Sequence, residues 1–410
     1  MANGKQGVDN KSVKFMYLEK EVVPKIAKAI GKNAEHFRCE IKVPCDGFFI
    51  SSIYMLDMIP RFVCETKKEN YSFVIKVQPV DESRRSFLRT DILFHNEIIF
   101  YNRLGINYIN YPKCMFIVSE PISEAMIVLE NVTQFGYRSL PSTEFIGMKH
   151  ALSAVQEIGR FHAQGYILKD KNPDEFFGVA KELLRIYDDD VNPIYTEYFN
   201  TLVLRPVNYL RSVNYDPEFC DKISISLSDT YERIMKDCMK PRNELAVLCH
   251  GDFTANNVLW KEEEDDGKFK AILIDFAQIR YASPATDLST FLYISCKEEV
   301  WKNFPVIYRA YHNAVIEYLE EQGVKDLQKY SFDAFIEDYT RHAISGCAIA
   351  ICFASVFSLN GGDFPDFDDV LKNKSKYFEI LMTAGGVEVS KRLADMLVEF
   401  KNNGWLAHLM

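Results

Sequence analysis

Residues 246–276 read AVLCHGDFTANNVLWKEEEDDGKFKAILIDF. Two apolar runs, VLW at 258–260 and FKAIL at 269–273, flank an acidic turn that ends in Asp266-Gly267. Strand-forming runs around an Asp-Gly pair are the pattern of a β-hairpin. The acidic run 262–266 is read as the solvated tip of that hairpin rather than as a metal or partner site. The polar residues beside the apolar runs carry more information. Asp252 follows VLCHG, Asn257 stands five residues later, and Asp275 closes AILID. A carboxylate at the end of an apolar strand is costly to bury unless something pairs it, and a bound cation would do so. Taken alone, His250-Gly251-Asp252 is equally a turn with a capping Asp.

Further upstream, Lys76 sits in the apolar run FVIKV, and Glu97 follows 21 residues later in LFHNEIIFY, a segment of helical character. A lone Lys in a strand usually snorkels to solvent. A strand Lys paired with a helix Glu, then an Asp/Asn loop, a hairpin and an Asp-Phe pair is the order found in kinases. There the Lys grips the α- and β-phosphates of ATP. The loop Asp accepts the proton of the attacking hydroxyl, and the Asn and second Asp hold Mg²⁺. The glycine-rich element is weak: Asp46-Gly47-Phe48-Phe49-Ile50-Ser51-Ser52 opens a strand, and its backbone with Ser51 or Ser52 is the candidate phosphate cover. There is no Walker motif, no His-Arg-Asp, no Asp-Phe-Gly and no Ala-Pro-Glu. AQIRYASPATDLSTFL after Asp275 re-enters helix without a long activation segment, which favours a small-molecule acceptor over a protein.

The 410 residues are too many for one compact core and suit two lobes. The segment 40–78 reads as strands, chiefly 48–59 and 71–77 around a polar tip. A helix is expected over 87–104, then short strands at 114–119 and 125–130. From there helices dominate, the first over 143–164, interrupted by the hairpin. The fold class is therefore α+β, with a small antiparallel β-rich N-lobe over 1–130 and a large mainly helical C-lobe over 131–410. The join lies near 130–136, and residues 15–30 suit an amphipathic helix capping the N-lobe.

The net charge of −10 excludes a broad basic face for nucleic acid. The N-terminus lacks an apolar signal segment, and the ten cysteines show no CxxC pair, which reads as reduced thiols of a cytoplasmic protein. The 17-residue uncharged run 343–359 is at the lower limit for a membrane span. Its small residues, Gly346, Ala348, Ala350 and Ala354, favour a buried core helix. No obligate protein partner is evident.

Several segments carry a further resemblance: VIKV around Lys76, NEIIFY around Glu97, MIVLENVTQFGYR at 126–138, IGRFHA around His162, LCHGDFTANNVLW, and LIDFAQIRYASPATDLSTFL. In these the chain resembles the ecdysteroid kinase-like (CHK kinase-like) family. That family lies within the choline kinase and aminoglycoside phosphotransferase group of the protein kinase-like superfamily. The resemblance implies a two-lobed protein kinase-like fold and an ATP- and Mg²⁺-dependent phosphotransferase acting on an alcohol group. The substrate it implies is an ecdysteroid or another hydroxylated lipophile. It implies Asp252 as catalytic base, Asn257 and Asp275 as Mg²⁺ ligands, and Lys76 on the nucleotide with Glu97 orienting it. Backbone groups around Glu130 and Val132 would meet the adenine, and His250 belongs to the catalytic motif as a supporting residue. Asp287 would brace the catalytic loop through backbone hydrogen bonds, or is simply an acid at a helix N-terminus. His162 is read as structural. Unlike the family's usual form, Ala277 intervenes between the metal Asp-Phe and Gln278. A choline- or aminoglycoside-type kinase is the alternative, with Asp188-Asp189-Asp190 or Asp363, Asp366, Asp368 and Asp369 as acids for a cationic acceptor. A catalytically idle nucleotide-binding protein is another.

Overall fold

The computed structural model describes residues 15–44, 51–61, 70–105, 110–141, 144–186, 193–241, 244–264, 267–359 and 372–410. The chain divides into two compact units, Met1–Tyr137 and Arg138–Met410.

The first unit is built on an antiparallel sheet of β1 (Phe37–Lys42), β2 (Ser52–Pro60), β3 (Tyr71–Val77), β4 (Cys114–Val118) and β5 (Met126–Glu130), in the order β1-β2-β3-β5-β4. Alternation decides what β3 offers each side. Phe73, Ile75 and Val77 join Leu56, Met58, Met126 and Val128 in one apolar cluster. The N-terminal helical segment, Leu18–Val22 continuing as Val23–Ala29, closes that cluster with Leu18, Val22, Val23, Ile26 and Ala27. Lys76, between Ile75 and Val77, is thereby turned to the opposite face. The single helix expected over 87–104 is instead two, Glu82–Leu88 and Thr90–Ile99, followed by a π-helical turn at Phe100–Leu104. The break is at Arg89, whose left-handed backbone (φ 52°) no helix accommodates. The polar tip between β2 and β3, and most of the candidate phosphate loop (residues 45–50), lie outside the described residues.

The second unit is mainly helical. Its long helix Met148–Lys171 packs along Phe304–Glu321. Gly159 makes that approach possible, since a Cβ there would sit 2.8 Å from the Tyr311 carbonyl oxygen. The long helix begins later than the expected 143 because Ile146 is held extended by tertiary bonds. Its N–H donates to Ser295 and its carbonyl accepts from Lys297, both at 2.9 Å. The apolar run 343–359 forms the helix Ile344–Phe357, buried at Gly346, Cys347, Ala348, Ala350, Ile351 and Cys352. Gly346 lies against Ser289 and Thr290 of the helix Ala285–Ser295, where a Cβ would overlap their atoms. Among the described residues no single helix is long and apolar enough to cross a membrane. Phe332–His342 and Ile344–Phe357 reach that composition only as a pair bent by 46°.

Arg205, 2% exposed, ties the C-terminal helices together. Its guanidinium donates to Ser355, Ser390 and the carbonyls of Leu381, Ala384 and Gly386. Two small antiparallel ladders interrupt the helices. β7 (Val258–Glu262) and β8 (Phe269–Leu273) form the expected hairpin. β6 (Val247–Cys249) pairs with β9 (Arg280–Ala282), a strand the sequence reading does not contain.

Candidate active site

The β6–β9 ladder and the hairpin hold three polar residues together in the second unit. β6 ends at Cys249, and Gly251 turns the chain with φ +84°, a conformation that disfavours any side chain. The Gln278 carbonyl presses on the same Cα, so a Cβ would overlap it. Asp252 follows, partly exposed. Asn257 Nδ2 donates to the Asp252 carbonyl and to Asp252 Oδ2, both at 2.9 Å. The Asn257 carbonyl in turn accepts from the Ile274 N–H at 3.0 Å, which fixes the loop to the strand that delivers Asp275. Asp275 itself adopts a left-handed backbone (φ 65°). Burial pushes the Asp252 carboxyl above its ordinary range, and the nearby Asp275 charge pushes it further. His250, Asn257 and Arg280 oppose the shift without cancelling it.

His250 is fully buried behind this loop. Its Nε2 lies 2.9 Å from the Ile274 carbonyl, and its Nδ1 lies 3.3 Å from the Asp252 amide. Only the neutral tautomer with Nε2 protonated satisfies both, donating at Nε2 and accepting at Nδ1. Asp287, at the start of the helix Ala285–Ser295, accepts the amides of His250 (2.7 Å) and Gly251 (2.9 Å). His162 of the long helix adds a third bond to Asp287 at 3.1 Å, and Tyr311 holds the other ring nitrogen at 2.9 Å. Burial works to raise the Asp287 carboxyl, but the hydrogen bond from His162 and the Arg280 charge, with His250 beside them, hold it below its ordinary range. His162, Cys249 and Asp287 have the donor types of a metal site. They are already satisfied by protein, Cys249 through the carbonyls of Ala282 and Ser283 and the other two through each other.

In the first unit, Lys76 and Glu97 meet at 2.5 Å, 6% and 1% exposed. Ser52 opens β2 opposite Val77, and Ile53 lies opposite Lys76, so Ser52 neighbours the pair's strand in the sheet. Ser51 precedes it in a bend. Glu130 ends β5, with its carboxyl raised by burial against the pull of Lys113. The amides of Glu130 and Asn131 are taken by Lys113 and Ser72 carbonyls. That leaves Val132, buried in the 3-10 turn Val132–Phe135, as the amide of this stretch with no hydrogen-bond partner among the described residues.

Arg280 is absent from the sequence reading, yet its Nη2 donates to the Gly251 carbonyl at 2.9 Å. Asp188, Asp189, Asp190, Asp363, Asp366, Asp368 and Asp369 lie outside the described residues. A cavity of about 760 Å³ in the second unit contains none of the site residues. Its basic lining, Lys236, Arg341 and His342 included, stands in the last turns of two helices, where cations complement exposed carbonyls.

Among solved structures, the chain is similar to the GDP complex of wild-type aminoglycoside 2'-phosphotransferase-IIIa (TM-score 0.39, 11% identity, 89% of this chain and 93% of that one). It is similar to the GDP and kanamycin complex of the same class of enzyme (TM-score 0.40, 12% identity, 89% and 93%). A third similar structure is aminoglycoside phosphotransferase APH(4)-Ia (TM-score 0.31, 14% identity, 84% and 99%). Likenesses this distant carry no argument about substrate or residue roles. No curated protein matches. A sequence model of the ecdysteroid kinase-like family matches residues 48–324, roughly two thirds of the chain and including Lys76, Glu97 and the whole Asp252–Asp287 constellation. By that match, this chain belongs to the ecdysteroid kinase-like family, whose fold is kinase-like, with a β-sheet unit followed by a helical one.

Proposed function

We propose that the chain transfers the γ-phosphoryl group of ATP to a hydroxyl of a small molecule, an ecdysteroid or another hydroxylated lipophile. The observation that carries this reading is the Asp252–Asn257–Asp275 group. Two carboxylates share one partly buried loop region, and the amide of Asn257 steers one of them. Asp252 keeps an open edge and a raised proton affinity, which suits a base that orients a hydroxyl and takes its proton late.

The same residues fit a hard divalent cation. Asn257 commits its Nδ2 to Asp252, which leaves its Oδ1 as the oxygen that could join the Asp275 carboxylate on a cation. Oxygen donors of this kind suit Mg²⁺. Bound there with the nucleotide, Mg²⁺ would neutralise charge on the phosphates. Lys76, paired with Glu97, is the candidate positive charge for nucleotide phosphates. Ser51 and Ser52 are the candidate cover, and the Val132 amide is the candidate contact for the base. Most of the acceleration would come from positioning and electrostatics, since phosphoryl transfer needs little covalent help.

The test is incubation of purified protein with Mg²⁺-ATP and a panel of ecdysteroids, choline, aminoglycosides and hydroxylated plant metabolites. Mass spectrometry then looks for one added phosphate. A phosphorylated ecdysteroid or other lipophilic alcohol, missing with Asp252→Asn, is the expected result. Phosphate appearing only on choline or an aminoglycoside would overturn the substrate class and keep the reaction.

A further inference from the structure

Arg280 opens β9 opposite Cys249 and is 7% exposed. Its Nη2 donates to the Gly251 carbonyl, and this is the one hydrogen bond of the guanidinium among the described residues. Nε is shielded from solvent and has no hydrogen-bond partner among the described residues. A guanidinium is expensive to bury, and one bond to a neutral carbonyl offsets little of that cost. Apolar packing would serve a plain strand better. A buried donor left unsatisfied in a folded protein calls for a specific explanation.

The explanation lies in which carbonyl Arg280 holds. Gly251 is fixed from both ends: its N–H donates to Asp287 Oδ1 and its carbonyl accepts from Arg280. Its φ of +84° and the Gln278 carbonyl against its Cα leave no room for another residue type. The peptide that starts at the Gly251 carbonyl ends at the Asp252 nitrogen, whose N–H points to His250 Nδ1. Rotating that peptide would break both bonds and swing the Cα–Cβ bond of Asp252. The guanidinium charge also favours the ionised forms of the Asp252 and Asp287 carboxyls.

We propose that Arg280 is a positioning residue for the phosphoryl transfer: by clamping the Gly251–Asp252 peptide it aims the Asp252 carboxylate at the acceptor hydroxyl. This rests on the reading of Asp252 given above. A residue that merely ties β6 to β9 would affect stability, not the split between turnover and binding.

The experiment compares wild type with Arg280→Met, Arg280→Gln and Arg280→Lys. Steady-state kinetics use Mg²⁺-ATP and whichever panel acceptor the wild type phosphorylates. In parallel, the crystal structure of Arg280→Met is determined. The expected result for Met is a kcat lower by about 10²-fold, the cost of a misplacement near 1 Å. KM for ATP and acceptor should stay within about threefold, with Lys recovering most of kcat and Gln part of it. The crystal structure should show the Gly251–Asp252 peptide rotated and Asp252 displaced. Unchanged kcat in folded Met or Gln variants, or a raised KM at unchanged kcat, would overturn the proposal. If Met does not fold, the Gln and Lys variants decide by the same criteria. A wild type silent toward every acceptor would count against the phosphotransferase reading instead. The crystal structure would then judge Arg280 alone, and an unmoved peptide would overturn its role.

Discussion

Lys76 with Glu97 in the sheet unit is buried, and Asp252 with Asp275 in the helical unit is partly buried, but the two pairs follow opposite sign logic. In the first, cation and anion touch at 2.5 Å, so each neutralises the other's charge. In the second, a carboxylate is raised by burial and by a neighbour of its own sign. Opposite charges form an arm that is ready before any ligand arrives. Like charges leave a repulsion that a bound cation would relieve. On the roles proposed above, the first pair would be a preset grip and the second an unfinished receptor, and each half of that comparison can be broken separately.

The largest effect is expected at the receptor. Asp252→Asn should lower turnover by about 10³-fold, within the range of a lost general base. Its nucleotide dissociation constant, followed by calorimetry, should hardly change. Equal turnover in the two proteins would remove Asp252 from the reaction.

Next comes the grip. Lys76→Met leaves Glu97 buried without its cation, and urea unfolding should show a loss of about 3–5 kcal/mol. Lys76→Met combined with Glu97→Leu should regain most of that stability while turnover stays lost. A double variant as unstable as the single one would mean that packing, not charge, is what the pair supplies.

pH separates the two carboxylates of the helical unit. Asp287 is held below its usual range. Its stabilising contribution is therefore complete above its unfolded pKa, about 3.9, and is lost as pH falls through its lower folded value. Acid unfolding of Asp287→Asn should be flatter than that of wild type below about pH 4. Asp252 carries the opposite sign. It favours the fold below about pH 3.9, and that advantage disappears as pH rises through its raised folded value.

The smallest expected effect follows from this. Without divalent cation at pH 7, Asp252→Asn should raise Tm by about 2–4 °C, the shift that about 1 kcal/mol makes in a unit of this size. Millimolar Mg²⁺ with ADP should raise the wild-type Tm and leave Asp275→Asn unmoved. A destabilised Asp252→Asn would show that the like-charge crowding at the receptor is overstated.

The hairpin of β7 and β8 was legible because its signal is local: β-branched runs, an Asp-Gly turn and alternation within a few residues. The Lys76–Glu97 pair was legible for a related reason, since a strand and the next helix lie 21 residues apart and carry opposite charges. The apolar run 343–359 was half legible. Composition allowed either a core helix or a short span, and contact between Gly346 and the Ala285–Ser295 helix is what makes it core. The helix break at Arg89 and the late start at Met148 were not legible: a left-handed backbone at a non-glycine leaves no pattern in the sequence, and the extended Ile146 is held by Ser295 and Lys297, far along the chain.

The sequence by itself determined most of the order of elements and singled out Asp252, Asn257, Asp275, Lys76 and Glu97 as candidates, because strand and helix periodicity and motif spacing act over a few residues. Tertiary structure alone decided that His162 reaches Asp287 across 125 positions, and that Arg280, in a strand too short to show a period, closes on Gly251. Such contacts follow from which surfaces pack, and packing depends on shape and burial summed over the whole unit, which no local pattern encodes.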